Sequence, residues 1–356
     1  MEYDEYQPGA LWYFVFTGLL VPNIQNYDAF LTATMLLNVA LLCAHVAFFL
    51  QKEYRRAAPI FLLIVLGAGP FLLLRFELFV SLLVLLGWDC LRKNRPAAGA
   101  LLLGLATGTK LYPVILLPLF FLELMRQRRW MDVGRAAIFW TIGFLAPLAF
   151  FISLGGSLAG FMESMRVHGL KPVGLEGFWG VVLTLIQKAA GIPLRVGAGY
   201  GIHGLTPDLP LVTDTVLNYF WILPVALLYG TILLLYRRRG YTDWGLPFLL
   251  LFAFVYFNKV MNPHYVWWMA SILPLVSISW YRTSHRWFAA ILMAAAFALA
   301  QYDYPVYYDA FLAWYYGSSA DSFYFWIIAI RDLLLLSILG SALVRMVRIS
   351  RTTVAA

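Results

Sequence analysis

Charge is what this chain has least of. Only 12% of its 356 residues are charged, with 18 Asp and Glu against 26 Lys and Arg. Soluble domains carry about 25%, and one so poor in charge would expose far more apolar surface than water tolerates. Cysteine is scarcer still. Cys43 and Cys90 both lie in apolar runs, which points to neither a disulfide framework nor a metal site. No Walker loop, dinucleotide fingerprint, zinc-ligand spacing or nucleophile elbow occurs, so no cofactor and no metal is expected. The first residues are acidic and polar, which is not the pattern of a cleavable signal peptide. Heptads, short repeats and low-complexity tracts are also missing.

What is present is oil. The chain is 62% hydrophobic and 17% aromatic, with a mean hydropathy of +0.77. These values describe an all-α, polytopic transmembrane helical bundle. The net charge of +8 could serve nucleic acid, but basic residues marking cytoplasmic loops are the simpler reading. No nucleic-acid partner is expected, and membrane lipid is.

The spans are read as Ala29–Leu50, Ala57–Leu74, Leu78–Leu91, Ala97–Thr109, Leu111–Met125, Ala136–Leu154, Thr215–Tyr236, Trp244–Phe257, Val266–Trp280, Trp287–Ala300 and Phe323–Val344. These are about eleven, two of them forming a short hairpin at Lys110. If Ala10–Val21 lies in the interface rather than crossing, the basic clusters at 52–56, 92–95, 126–135, 237–239, 282–286 and 345–351 all fall on one face. The chain is then one integral membrane domain, 1–356. Residues 1–28 form an outer-face lead-in with an interfacial helix, and 155–214 form an outer-face segment containing the apolar stretch Phe178–Ala190.

The turn Asn258-Lys259-Val260-Met261-Asn262-Pro263-His264-Tyr265 joins two runs of about 14 and 15 residues, roughly 21–23 Å each, against an apolar core of about 30 Å. Such a turn cannot reach the far surface. Polar non-helical backbone at that depth survives only where it lines protein or a water-filled cavity. Lys110, between limbs of about 13 and 15 residues, has the same geometry. Each lysine either faces a cavity or partner or snorkels along apolar surface. Two recessed cations opening to one face suit an anion, and in a bilayer the obvious one is a lipid phosphate.

Other candidates are more ambiguous. Arg75 and Glu77 are close enough to pair structurally or to serve the site. His264 is a donor or base, or a satisfied structural histidine. His168 and Glu176 lie on the outer segment. Asp4 and Glu5, with Glu2, are the only carboxylates before the first span, and terminal acids are usually just solvated. Arg331 and Asp332 sit inside the last span. Adjacent residues do not face one another on a helix, so both are read as packing contacts. His45, Asp89 and Glu123 lie near cytoplasmic span ends, where snorkelling suffices.

Four further stretches and the turn occur in one order that resembles glycosyltransferase family 87, polyprenyl-phosphate-dependent enzymes of the GT-C superfamily. Glu5-Tyr6-Gln7-Pro8-Gly9 resembles the family's Glu-Tyr-Pro-Pro, and Arg75-Phe76-Glu77-Leu78 its Arg-(aromatic)-Asp-Leu. Gly104-Leu105-Ala106 through Lys110-Leu111-Tyr112-Pro113 is similar to its Gly-Leu-Ala…Lys-(Leu/Phe)-Tyr-Pro. His168-Gly169-Leu170 with Leu175-Glu176-Gly177-Phe178-Trp179 looks like a stretched His…Gly-Leu-Gln-Ile-Glu-Ser-Leu-Trp, and Phe257-Asn258-Lys259-Val260 with Pro263-His264-Tyr265 is similar to Phe-Asn-Lys-Val…Pro-Gln-Tyr. Members carry a further helix and an outer loop with the presumed catalytic aspartate upstream of Glu-Tyr-Pro-Pro. This chain begins almost at that stretch, so the expectation is a truncated chain, a substitute at Asp4 or a neighbour, or an inactive protein.

The resemblance implies inverting transfer of a hexose, mannose above all, from a polyprenyl-phosphate sugar to a glycan or glycolipid acceptor, at the extracytoplasmic face of a prokaryotic plasma membrane. Asp4 and Glu5 are then the candidate base. Lys110, Lys259 and Arg75 are assigned to the donor phosphate. Glu77, Tyr112, His168, Glu176, Asn258, His264 and Tyr265 are assigned to the substrates. Trp267, Trp268 and the aromatic loop 302–316 could stack sugars, or belong to the interface belt. A lipid-linked-sugar flippase is the rival reading, though it would want midplane groups and repeated halves. A structural partner in glycan assembly is the other.

Overall fold

The computed structural model of the chain describes residues 8–21, 26–199, 202–207, 216, 219–239, 243–281, 283–318 and 321–352. The chain runs through α1 (Pro8–Leu19), α2 (Tyr27–Leu50), α3 (Ala58–Ala68) and its 3-10 continuation Gly69–Leu74. Next come α4 (Glu77–Arg92), α5 (Pro96–Thr109), the 3-10 turn Tyr112–Leu116, α6 (Leu117–Arg126) and α7 (Trp130–Ser153). Residues 155–207 hold α8 (Leu158–Leu170), β1 (Val173–Gly174), α9 (Phe178–Ala190), β2 (Leu194–Gly199) and β3 (Ile202–Pro207). The chain continues with α10 (Ile222–Arg239), α11 (Gly245–Phe257), the 3-10 turn Pro263–Tyr265, α12 (Val266–Ala270) and α13 (Leu273–Trp280). It finishes with α14 (Thr283–Gln301), α15 (Tyr308–Tyr315) and α16 (Phe323–Thr352).

Helix length and composition make four of these long and apolar enough to cross a membrane: Tyr27–Leu50, Trp130–Ser153, His285–Val306 and Phe323–Arg348. Shorter apolar helices fill the bundle between them. Leu36, Leu66, Ile138, Leu227 and Leu333 are each at least 60% exposed, which in a membrane protein is lipid-facing surface rather than a defect. The opposite extreme is α11, buried at nearly every position from Gly245 to Tyr256. A helix apolar all round belongs in the centre. That is where the turn at 258–265 emerges.

The structure refines the sequence reading. Within residues 155–207, β1, β3 and β2 pair antiparallel, in that order, with Gly197 opposite Gly204. The run Val266–Trp280 is two helices, broken at Ser271-Ile272 with Pro274 in the first turn of α13; proline there cannot donate the bond that would continue α12. His45, Asp89 and Glu123 do not snorkel. Each is buried and partnered: His45 with the Leu41 carbonyl and Ser81, Asp89 with Tyr54 and Lys93, Glu123 with Arg126 and Gln127.

Contacts link the basic clusters at one end. Arg92 reaches Tyr54 and Glu53, Arg129 reaches Asn94, and Arg126 reaches Tyr236. Trp88 and Trp280 both bond Asp243, and Arg345 reaches the Trp280 carbonyl. Because α4 and α5 form an antiparallel hairpin whose turn, with Asn94 at φ +61°, lies at this end, Glu77 and Lys110 share the other end.

Candidate active site

The site begins with those two helix termini. Glu77 occupies the first turn of α4, and Lys110 follows the last turn of α5. A carboxylate is favoured at a helix N-terminus and a cation at a C-terminus, so each charge is stabilised by its own helix before they meet. They do meet: Lys110 Nζ donates to Glu77 Oε1. Glu77, 1% exposed, also accepts the indole N–H of Trp268. The partner of Glu77 is therefore Lys110, while Arg75 donates to the Tyr304 hydroxyl at 3.2 Å.

Aromatic rings enclose the ammonium. Lys110 Nζ lies 4.8 Å from the Phe76 and Tyr265 ring centres and 4.9 Å from Trp268, a cation–π arrangement. Trp268 is itself sandwiched, with Tyr112 stacked at 3.8 Å and Tyr265 at 4.4 Å. His264 Nε2 comes within 3.6 Å of Glu77 Oε1. Its buried Nδ1, like the Tyr112 hydroxyl, finds no hydrogen-bond partner among the described residues.

Beside this cluster lies a cavity of about 230 Å³, lined by Arg75, Glu176, His203, Asn262, His264, Tyr304 and Tyr308, among others. Glu176 is 8% exposed. Burial pushes its carboxyl up to about 7, while Arg331, a hydrogen bond with Tyr308, and Arg75 pull it back. Arg75 and Lys171 lie within electrostatic reach of both Lys110 and His264.

The remaining sequence candidates are placed differently. Lys259 is 3% exposed and donates to the Gly169 carbonyl at 2.7 Å, near the C-terminal end of α8. Its own carbonyl accepts the Gly174 N–H at 2.8 Å, and Trp179 donates to the Phe257 carbonyl at 2.8 Å. The turn is thus roofed by residues 169–179, which satisfy part of its backbone. Asn258 accepts the Val260 N–H at 3.0 Å and shapes the turn. His168 lies on α8 with Nδ1 at 2.8 Å from the Ser164 carbonyl, outside the cavity lining. Asp4 and Glu5 lie outside the described residues.

Sequence reasoning missed His203 and Arg331. His203 sits on a short strand, Ile202–Pro207, with no recognisable pattern. Arg331 did carry a signal, because an ionisable residue inside a span is a functional candidate by default. Its guanidinium bonds Asp332 at 2.8 Å and also reaches the Glu176 carbonyl. A side chain long enough to fold back on its neighbour evades the rule that adjacent helix residues do not meet, and the pair is tied to the Glu176 backbone.

Together these observations describe a multi-pass membrane protein with a buried ionic site roofed by residues 169–179. The description of glycosyltransferase family 87 matches residues 5–187, a stretch that contains Arg75, Glu77, Lys110, Tyr112, His168 and Glu176. The chain belongs to glycosyltransferase family 87. No curated protein matches it.

Proposed function

We propose that this glycosyltransferase transfers a hexose, with mannose as the favoured sugar, from a polyprenyl monophosphate to a glycan or glycolipid acceptor at the extracytoplasmic face of a prokaryotic plasma membrane. The observation that carries the reading is the caged Lys110–Glu77 pair beside a cavity with Arg75, His264 and Glu176. It lies at the end of the bundle away from the basic clusters.

The chemistry follows from the leaving group. The acceptor hydroxyl oxygen bonds the anomeric carbon as the bond from that carbon to the phosphate oxygen breaks, which inverts the centre. The electron pair leaves with the prenyl phosphate, already a stable anion, so cations are needed rather than a general acid. Lys110 and Arg75 supply them, with Lys259 contributing through the turn it holds. An ammonium has three donors, and Glu77 engages one. The hydroxyl proton passes to a carboxylate, for which Asp4 and Glu5 are proposed. Glu176 and His264 orient the sugars, with Tyr112, Asn258 and Tyr265 shaping the wall.

Two measurements test this. Arg75→Met is expected to raise the KM for a polyprenyl-phosphate hexose by roughly 10- to 100-fold, the worth of a charge-assisted hydrogen bond, with the product's anomeric configuration, read by NMR, opposite to the donor's. An unchanged KM or retained configuration contradicts the assignment. In a background lacking Cys43 and Cys90, Tyr316→Cys, 49% exposed in the native residue, should react with an impermeant maleimide from outside the cell. Lys93→Cys should react only after permeabilisation. The reverse pattern overturns the topology.

A further inference from the structure

We propose that Arg331, inside the last span, is a positioning residue for the cavity carboxylate Glu176: its guanidinium, steadied by Asp332, fixes the 175–177 loop and supplies the positive charge beside that carboxylate. This rests on the reading that the cavity receives sugar.

Arg331 is fully buried, at 0% exposure. Cations inside a span are expensive and rare, and one placed only for packing would snorkel towards an interface. Instead two of its three guanidinium nitrogens are engaged. Nε and one terminal nitrogen donate to Asp332 Oδ1 at 3.0 and 2.8 Å, and that terminal nitrogen also reaches the Glu176 carbonyl. The Tyr256 hydroxyl donates to the Asp332 carbonyl at 3.1 Å, tying this turn of α16 to the central α11. Two side chains and the bundle's innermost helix are thus enlisted to hold one carbonyl in the site loop.

The loop has no slack of its own. The Gly174 N–H is held by the Lys259 carbonyl at 2.8 Å and the Leu175 N–H by the His203 carbonyl at 3.3 Å. A Cβ at Gly180 would sit 2.5 Å from the Gly174 and Leu175 carbonyl oxygens, and one at Gly177 would sit 3.2 Å from Met261. With its neighbours pinned on both sides, the Glu176 carbonyl depends on Arg331. The charged and titratable groups facing the Glu176 side chain are Arg331 from α16, Arg75 before α4 and Tyr308 on α15, with His203 and His264 also on the cavity wall. Of the groups opposing its burial, Arg331 acts most strongly.

The test uses the full chain in lipid nanodiscs. Infrared difference spectra against pH follow the protonated-carboxyl band that disappears in Glu176→Gln. In the native protein its midpoint should lie near pH 7. Arg331→Gln, which keeps a donor but removes the charge, should raise it by about one unit or more. Arg331→Lys keeps the charge but not the fork. Its midpoint should stay near the native value, while turnover falls roughly tenfold, about the worth of a charge-assisted hydrogen bond, with little change in KM. A native midpoint in Arg331→Gln overturns the electrostatic half. Native turnover in Arg331→Lys overturns the positional half, whether or not Arg331→Gln accumulates. If the native protein transfers no sugar, the proposed function fails, and the titration still decides the role of Arg331.

Discussion

Replacing Lys110 with alanine should abolish transfer and also weaken the fold, whereas Glu77→Gln combined with Lys110→Met should abolish transfer alone. The reason lies in burial. Glu77 is 1% exposed, with Lys110, Trp268 and His264 around it. Removing only the lysine strands a buried carboxylate, which destabilises by about 3–5 kcal/mol. The double variant removes both charges, keeps the Trp268 hydrogen bond and fills the lysine's volume, so thermal stability should return close to native. Transfer should stay at least about 100-fold down in both, the usual consequence of deleting a group that stabilises developing negative charge. Native stability in Lys110→Ala would contradict the buried pairing. Native turnover in the folded double variant would remove Lys110 from the reaction.

A second large effect comes from the helix that delivers Lys110. A Cβ at Gly104 would lie 2.3 Å from the Trp140 carbonyl oxygen and 3.0 Å from the Phe144 nitrogen. A Cβ at Gly143, on the facing helix, would lie 2.3 Å from the Leu101 carbonyl oxygen. Helices α5 and α7 therefore touch backbone to backbone, as small residues permit in membranes. Backbone cannot swing aside as a side chain can. Gly104→Leu must separate the two helices and carry Lys110 away from its aromatic cage, so both accumulation and transfer should collapse. Gly134, on the same α7, has nothing within 4 Å of a built Cβ. Gly134→Ala should be neutral or stabilising by roughly 0.5–1 kcal/mol. Melting curves of the two proteins in detergent check the contrast, and equal melting points would contradict the packing.

The parts of this site legible in the sequence are those written locally. The turn at 258–265 was readable because a polar run with Pro263 interrupts two short apolar stretches, and α9 runs from Phe178 to Ala190 as its composition indicates. The expectation of a recess at Lys110 rests on helix length alone. What stayed hidden depends on distant chain. Glu77 finds Lys110 across 33 positions and Trp268 across 191, and no local pattern encodes either. The sheet was missed because β2 and β3 are short and glycine-rich, and β3 is completed by a two-residue partner, β1, from beyond α9. Gly104 stood out only as part of a family pattern, and its packing reason needed the facing helix.

The central claim is that a lipid phosphate carries the sugar to the Lys110 end of the bundle. Purified protein in nanodiscs, offered labelled mannose on either polyprenyl phosphate or a nucleoside diphosphate, measures this directly. Label should move only from the lipid donor, with one polyprenyl phosphate released per sugar transferred. Transfer from the nucleotide donor while the lipid donor stays inert would contradict it.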